Sequence, residues 1–132
     1  MTGEPIKVLC ADDHPDLSLL LEKRIGIETD MCSVGRVHDL QHLVREAQRT
    51  GPDVVVLDLT MLGRDALEFI PSVQDVCPQA RVIIYSGYDH AVPIERARAA
   101  GAWGYVSKAA ELATLVDAIR DVAAGRRCFP SG

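Results

Sequence analysis

Five side chains suited to phosphate and metal chemistry each follow an apolar run of the sequence. Asp12 and Asp13 come directly after the first such run, while Asp58, Ser86 and Lys108 close or follow three later ones. An acid after a strand often does no more than cap the next helix. Three carboxylates, a hydroxyl and an ammonium at the ends of four strands instead indicate one shared site, because ligands of open parallel sheets bind at the carboxyl ends of the strands.

The combination of groups favours phosphoryl transfer. Three neighbouring carboxylates repel one another, and a divalent cation that prefers oxygen ligands, such as Mg²⁺, would relieve that repulsion. With the cation present, one carboxylate could act as a nucleophile toward phosphorus. Lys108 would then neutralise one phosphoryl oxygen as a point charge and Ser86 would hydrogen-bond another. Gly87 has no side chain and leaves room for the incoming group.

The elements that must position these groups are strands and helices in alternation. The predicted strands cover residues 6–11, 31–37, 54–57, 81–85 and 103–107. The first two predicted helices run from Pro15 to a stop at Gly26 and over 38–49, and the last two over 94–100 and 112–124. Between them, Pro71 either kinks the third helix or starts it. Five such repeats predict an α/β fold with one parallel sheet covered on both faces and right-handed crossovers.

The chain has 132 residues, of which 48% are apolar and 25% charged, and this length and composition are typical of a single globular domain. Nineteen acids against 14 bases give a net charge of −5, which disfavours nucleic-acid binding by this chain alone. Without an apolar run long enough for a membrane span or a secretory signal, the sequence predicts a cytoplasmic protein that contacts no membrane. The four cysteines lack metal-site spacing, so free thiols are expected. Of the four scattered histidines, His38 and His42 alone have such a spacing, at i and i+4, which is attributed to chance at the start of a helix.

Four motifs, in order, resemble the receiver domain of two-component response regulators: VLCADDHP, VVVLDLTMLGRDALE, VIIYSG and GAWGYVSKA. The resemblance covers about residues 6–125. The DDHP start and the final helix are most similar to the NarL/FixJ branch, whose members often carry a C-terminal LuxR-type DNA-binding domain. The resemblance implies a CheY-like, flavodoxin-like doubly wound sheet with strand order 2-1-3-4-5 and five helices. Residues 1–125 would be the receiver domain, and 126–132 a tail or the start of a linker.

The resemblance also implies a role for each site residue. Asp58 matches the phosphoacceptor and Lys108 the phosphate-binding lysine. Asp12 and Asp13 match the acidic pair that holds Mg²⁺ together with Asp58, and Thr60 matches the position that lends a backbone carbonyl to the metal.

The same resemblance implies a switch and its partners. Ser86 matches the switch hydroxyl, and Tyr105 the aromatic residue that moves inward when that hydroxyl engages the phosphoryl group. A sensor histidine kinase would supply the phosphoryl group, and the surface of the last two helices and the fifth strand would change. Homodimers through the first or last helix and, in a longer protein, regulation of transcription are the expected outputs.

Several positions depart from the family pattern. Leu62 and Ala66 replace a proline and a glycine in the loop after the third strand, Pro71 interrupts the third helix, and Ala109 follows Lys108 where many receivers have proline. None of these changes removes a group that the chemistry needs.

Three other functions stay open. A pseudo-receiver would use the same fold only for protein contacts, and the altered loop is compatible with it. A Mg²⁺-dependent phosphatase with an aspartyl nucleophile needs a second acid two residues after the nucleophile, where this chain has Thr60. A nucleotide- or flavin-binding module needs a loop that attracts phosphates, but the loop DDHPDL is acidic and lacks glycine.

Overall fold

The computed structural model describes residues 3–88 and 90–130. The strands are β1 (Ile6–Ala11), β2 (Met31–Val37), β3 (Val54–Asp58), β4 (Thr60–Met61), β5 (Arg64–Asp65), β6 (Arg81–Ser86) and β7 (Gly104–Ser107). The helices are α1 (Pro15–Ile27), α2 (Leu40–Thr50), α3 (Ile70–Val76), α4 (Ala91–Ala99) and α5 (Leu112–Ala123). Among the described residues, every helix is too short or too polar to cross a bilayer.

One parallel sheet forms the centre of the molecule, in the order β2-β1-β3-β6-β7. This confirms the predicted α/β class and the strand order, since these five strands are the five predicted from the sequence. The central strand β3 is buried along its whole length. Ala11 of β1 lies beside Leu57 of β3, and Asp58 lies beside Tyr85 of β6. The carboxyl ends of these strands therefore meet at one edge.

The helices cover both faces of the sheet, and each face has its own apolar core. On one face, residues of α1 and α5 pack against the sheet, with Ile25 and Ile119 among the most buried. On the other face, α2, α3 and α4 contribute Leu43, Ile70 and Ala97 to a second cluster. This arrangement is the doubly wound architecture expected from the sequence.

The third helix starts at the proline instead of kinking there. A 3₁₀ turn over Ala66–Phe69 precedes α3, and Pro71 lies in the first turn of α3, where its missing N–H would have no helical partner. The small antiparallel pair β4 and β5 before that turn was not predicted. Helix α4 also begins at Ala91 and not at the predicted Ile94, because a proline is tolerated in the first helical turn.

The residues after Gly125 pack against the sheet. We call 126–130 the C-terminal strap. The backbone of Cys128 donates to the carbonyl of Trp103 at 2.9 Å and accepts from the amide of Tyr105 at 2.9 Å, so the strap lies parallel to β7 at the sheet edge. Phe129 packs against one of the apolar cores. Residues 126–130 of the expected tail or linker therefore pack on the sheet, and 131 and 132 lie outside the described residues.

Candidate functional site

The acidic residues predicted to meet do meet, at the carboxyl ends of β1 and β3. Asp12 and Asp58 are buried, with 2% and 7% of their surface exposed, and Asp13 is partly buried beside them. One ligand atom from each of these carboxylates, together with one from His14, lies within 4.8 Å of all the others. Adjacent strands carry these side chains, which explains why acids 45 residues apart in sequence share one pocket.

Lys108 supplies the positive charge of this cluster. It follows β7, and its Nζ lies 2.9 Å from Asp12 Oδ2 and 3.4 Å from Asp58 Oδ2. Burial works against the ammonium charge, but the hydrogen bonds and charges of the two carboxylates outweigh it and raise the pKa of Lys108. The lysine is therefore charged, and it partly offsets the cost of burying two acids.

Asp58 is the carboxylate most affected by its surroundings. Burial, followed by the charge of Asp12, raises the pKa of Asp58 from its ordinary value of 3.8 to about 6, although Lys108 acts in the opposite direction. A carboxylate in this state is poorly solvated and crowded by negative charge. It gains from any added cation or electrophile that neutralises it.

Asp13 is oriented by the loop that departs from the family pattern. The backbone N–H of Leu62, in the turn between β4 and β5, donates to Asp13 Oδ2 at 2.8 Å. Leu62 has a positive φ of 52°, which no proline can adopt, and a proline there would have no N–H to donate. The replacement of proline by leucine is the sequence signal for this contact.

His14 lies against the acidic pair and is not, as was expected from the sequence, one of several scattered histidines. Asp12 Oδ1 accepts from the backbone N–H of His14 at 2.9 Å and lies 2.9 Å from its Nδ1. Asp13 Oδ1 lies 3.1 Å from the same ring nitrogen. The hydrogen bond to Asp12, together with the charges of both acids, raises the pKa of His14.

Ser86 and Tyr105 are joined through the loop after β6. Ser86 is 1% exposed, and its Oγ accepts from the backbone N–H of Tyr88 at 3.0 Å. The hydroxyl of Tyr105 donates to the carbonyl of Tyr88. Tyr105 is thus turned into the protein, with 2% of its surface exposed. One loop residue contacts both of the predicted switch residues.

The donor set suits Mg²⁺. Three carboxylates provide the oxygen ligands that this ion prefers. Asp13 Oδ1 is buried and makes no hydrogen bond of good geometry, although His14 Nδ1 lies 3.1 Å away, so a cation could take up its unused lone pairs. Thr60, whose backbone carbonyl is the further ligand expected from the resemblance, lies two residues after Asp58 and has an exposed side chain. The acidic pocket fits the cation expected from the sequence.

The family comparison agrees with the geometry. Residues 8–120 match the response regulator receiver domain family. Among curated proteins, the nitrate/nitrite response regulator protein NarL of Escherichia coli (strain K12) is 30% identical over 122 residues, which are 92% of this chain and 56% of that protein. The transcriptional regulatory protein YxjL of Bacillus subtilis (strain 168) is 30% identical over 98% of this chain and 59% of its own length. The chain thus spans little more than half the length of these relatives.

Solved structures show the same architecture. A LuxR-family two-component response regulator from Aurantimonas sp. SI85-9A1 superposes with a TM-score of 0.88 and 30% identity, over 95% of this chain and 89% of that one. The signal receiver domain of NarL from Mycobacterium tuberculosis superposes with a TM-score of 0.87 and 27% identity, over 94% of this chain and all of that one.

Proposed function

This chain belongs to the response regulator receiver domain family, and we propose that it is switched by transfer of a phosphoryl group to Asp58 from a sensor histidine kinase. The observation that carries the proposal is the environment of Asp58. Its buried carboxylate lies at a strand end with a raised pKa, 3.4 Å from the ammonium of Lys108 and beside an acidic pair suited to a cation.

In the proposed reaction, a carboxylate oxygen of Asp58 attacks phosphorus and forms a new O–P bond. The bond between phosphorus and the donor's imidazole nitrogen breaks, and the electron pair returns to that nitrogen. Lys108 is placed to bind a phosphoryl oxygen, because its Nζ already lies beside Asp58 Oδ2. The carboxylate that attacks is held by β3, so most of the catalysis consists of positioning and charge stabilisation.

Mg²⁺ would be held by the carboxylates of Asp12, Asp13 and Asp58 and by the backbone carbonyl of Thr60. Its contribution is to neutralise charge on the phosphoryl oxygens. The protein's part is to orient the ligands. Leu62 N–H restrains one oxygen of Asp13, and Lys108 restrains one oxygen of Asp12.

The switch would operate through Ser86. Its Oγ now accepts from Tyr88 N–H, and the same hydroxyl would donate its proton to a phosphoryl oxygen on Asp58, so that a movement of Ser86 toward the phosphoryl group would draw Oγ away from Tyr88 N–H. Loss of this hydrogen bond would let the backbone of Tyr88 move, and the Tyr88 carbonyl is the group that accepts from the Tyr105 hydroxyl. The surfaces of α4, β7 and α5 would change in consequence, by a population shift between two arrangements.

Where a DNA-binding domain follows in the full protein, the proposed output is regulation of transcription, as the names of the relatives suggest. This chain would contribute a regulated contact and not DNA recognition, because its net charge is −5. A second copy could dock on α1 or α5. Helix α1 exposes apolar side chains suited to such a contact, namely Leu20 at 50% and Ile27 at 73% of their surface.

The proposal is tested by incubating the chain with acetyl phosphate, with and without Mg²⁺, and measuring intact mass. We expect the mass of one added phosphoryl group in the presence of Mg²⁺ and none in Asp58→Asn. Asp75→Asn, which changes an exposed acid, is the matched control and should be phosphorylated as the wild type is. Equal phosphorylation of Asp58→Asn would overturn the assignment. A wild type that stays unmodified by both the donor and a kinase would favour a pseudo-receiver.

A further inference from the structure

His14 is a nitrogen donor that lies at the acidic pocket and has no role in the phosphoryl transfer proposed above. Its Nδ1 is 2.9 Å from Asp12 Oδ1 and 3.1 Å from Asp13 Oδ1. The ring is held in this place by its own backbone, because the His14 N–H donates to the same Asp12 oxygen and Pro15 follows directly.

These distances match those between ligands of one octahedral ion. With bonds of about 2.1 Å, neighbouring ligands lie roughly 3.0 Å apart and opposite ligands about 4.2 Å apart. Nδ1 lies at the separation of a neighbouring ligand from each of the two carboxylate oxygens. The widest separation among the four candidate ligand atoms stays within 4.8 Å, so a shift of several tenths of an ångström would close the set around an ion.

The two oxygens of Asp13 differ in their partners. Asp13 Oδ2 accepts from the Leu62 N–H, whereas Asp13 Oδ1 is buried and makes no hydrogen bond of good geometry. The nearest positive or polar group to Asp13 Oδ1 among these contacts is His14 Nδ1, 3.1 Å away. The imidazole itself is accessible, since 67% of the His14 side chain is exposed, and it can turn toward an ion with little loss of packing.

We propose that His14 is a further protein ligand of the cation site, through Nδ1, beside the carboxylates of Asp12, Asp13 and Asp58 and the Thr60 carbonyl, and that it gives this site affinity for divalent ions that accept nitrogen. This inference rests on the proposed function, which supplies those other ligands. Imidazole suits ions such as Ni²⁺ and Co²⁺, whereas Mg²⁺ binds oxygen almost exclusively. A site with three carboxylates and one imidazole therefore binds Mg²⁺ as well as Ni²⁺ and Co²⁺. Removal of the ring should weaken the binding of Ni²⁺ and Co²⁺ and leave the binding of Mg²⁺ nearly unchanged.

The test compares the wild type, His14→Asn and a matched control, His42→Asn. Asparagine caps a helix well, so His14→Asn keeps the start of α1. His42 is suitable as the control because its Nδ1 also lies against a carboxylate, 2.8 Å from Asp39, but away from the acidic pocket. Calorimetric titration with Ni²⁺ and with Mg²⁺ gives the two affinities, and pulsed EPR of bound Mn²⁺ detects a directly coordinated imidazole nitrogen.

We expect His14→Asn to weaken Ni²⁺ binding at least tenfold and Mg²⁺ binding less than threefold, with the Mn²⁺ nitrogen signal lost. His42→Asn should behave as the wild type in all three measurements. A wild type that binds Mg²⁺ and Mn²⁺ without a nitrogen signal would overturn this inference and leave the proposed function intact. A wild type that binds none of the three ions would overturn both.

Discussion

Gly104 and Cys128 are so close that a Cβ atom on Gly104 would lie 2.9 Å from the carbonyl oxygen of Cys128. This contact lets the C-terminal strap run beside β7. Nearby, the guanidinium groups of Arg81 and Arg127 each lie over the Trp103 ring, at 4.5 and 4.0 Å from its centroid. The strap thus closes the sheet edge next to Tyr105, whose amide donates to Cys128.

We expect Gly104→Ala to displace the strap while leaving the parallel sheet in place. The new Cβ collides with backbone, which cannot rotate away as a flexible side chain would. Overpacking of this kind costs about 1 to 3 kcal/mol. The measurements are the free energy of unfolding in urea and the rate of trypsin cleavage after Arg126 and Arg127, which should rise.

Gly26→Ala is the matched control, because a Cβ there meets nothing within 4 Å. It should leave the cleavage rate after Arg126 and Arg127 unchanged. If Gly104→Ala also left that rate unchanged, the strap would not depend on the close contact with Gly104.

A second prediction concerns the turn that holds Asp13. Leu62→Pro removes the N–H that donates to Asp13 Oδ2 and cannot adopt the φ of 52°, so it should lower the free energy of unfolding by about 1 to 3 kcal/mol. Leu62→Gly keeps the N–H and suits a positive φ, so its stability should equal or exceed that of the wild type. Leu62 is 67% exposed, so neither change loses much packing. Equal stabilities of the two variants, measured in urea, would refute the role of the N–H.

A third prediction follows from the raised pKa of Asp58. The folded chain binds a proton at Asp58 more tightly than the unfolded chain, with a pKa of about 6 against 3.8. The charged carboxylate therefore costs stability above pH 6, and this cost disappears as the pH falls through that value toward 4.

Asp58→Asn removes the charge while keeping the shape. Without divalent cations it should raise the free energy of unfolding at pH 7.5 by about 1 to 2 kcal/mol, and this gain should shrink markedly at pH 4.5. Urea denaturation in EDTA at the two pH values gives the comparison, with Asp75→Asn as the control that shows no gain. A gain that is equal at both pH values would show that the carboxylate charge is not its cause.

The fourth prediction concerns the link between Ser86 and the sheet edge. Trp103 is the single tryptophan of the chain, and it lies two residues before Tyr105. Beryllofluoride, a phosphoryl mimic, should change Trp103 fluorescence in the wild type, because Ser86 leaves the Tyr88 amide and the Tyr105 hydroxyl loses its fixed acceptor. Ser86→Ala should bind the mimic but show less than half of that change.

Ser72→Ala, an exposed serine in α3, is the control and should respond as the wild type does. An identical Trp103 response in the wild type and in Ser86→Ala would show that the hydroxyl does not transmit the change.

Several features of this protein follow from its sequence alone. Alternating apolar runs and amphipathic segments are sufficient to predict the parallel sheet, since short right-handed connections leave few other ways to bury both kinds of element. The same rule places the carboxyl ends of all strands at one edge. That is why Asp12, Asp58 and Lys108, each at a strand end, could be assigned to one site before any distance was known.

The tertiary structure alone decided the contacts that depend on loop conformation. The hydrogen bond from Leu62 to Asp13 requires a turn with positive φ, and the approach of His14 to the acids depends on how α1 begins. The C-terminal strap carries no strand periodicity. It is held because the backbone of Cys128 pairs with the open edge of the sheet beside Gly104 and the guanidinium of Arg127 lies over the Trp103 ring. Such contacts join backbone groups and rings from distant segments. Residue type and spacing do not encode them, because they form only after the sheet has brought those segments together.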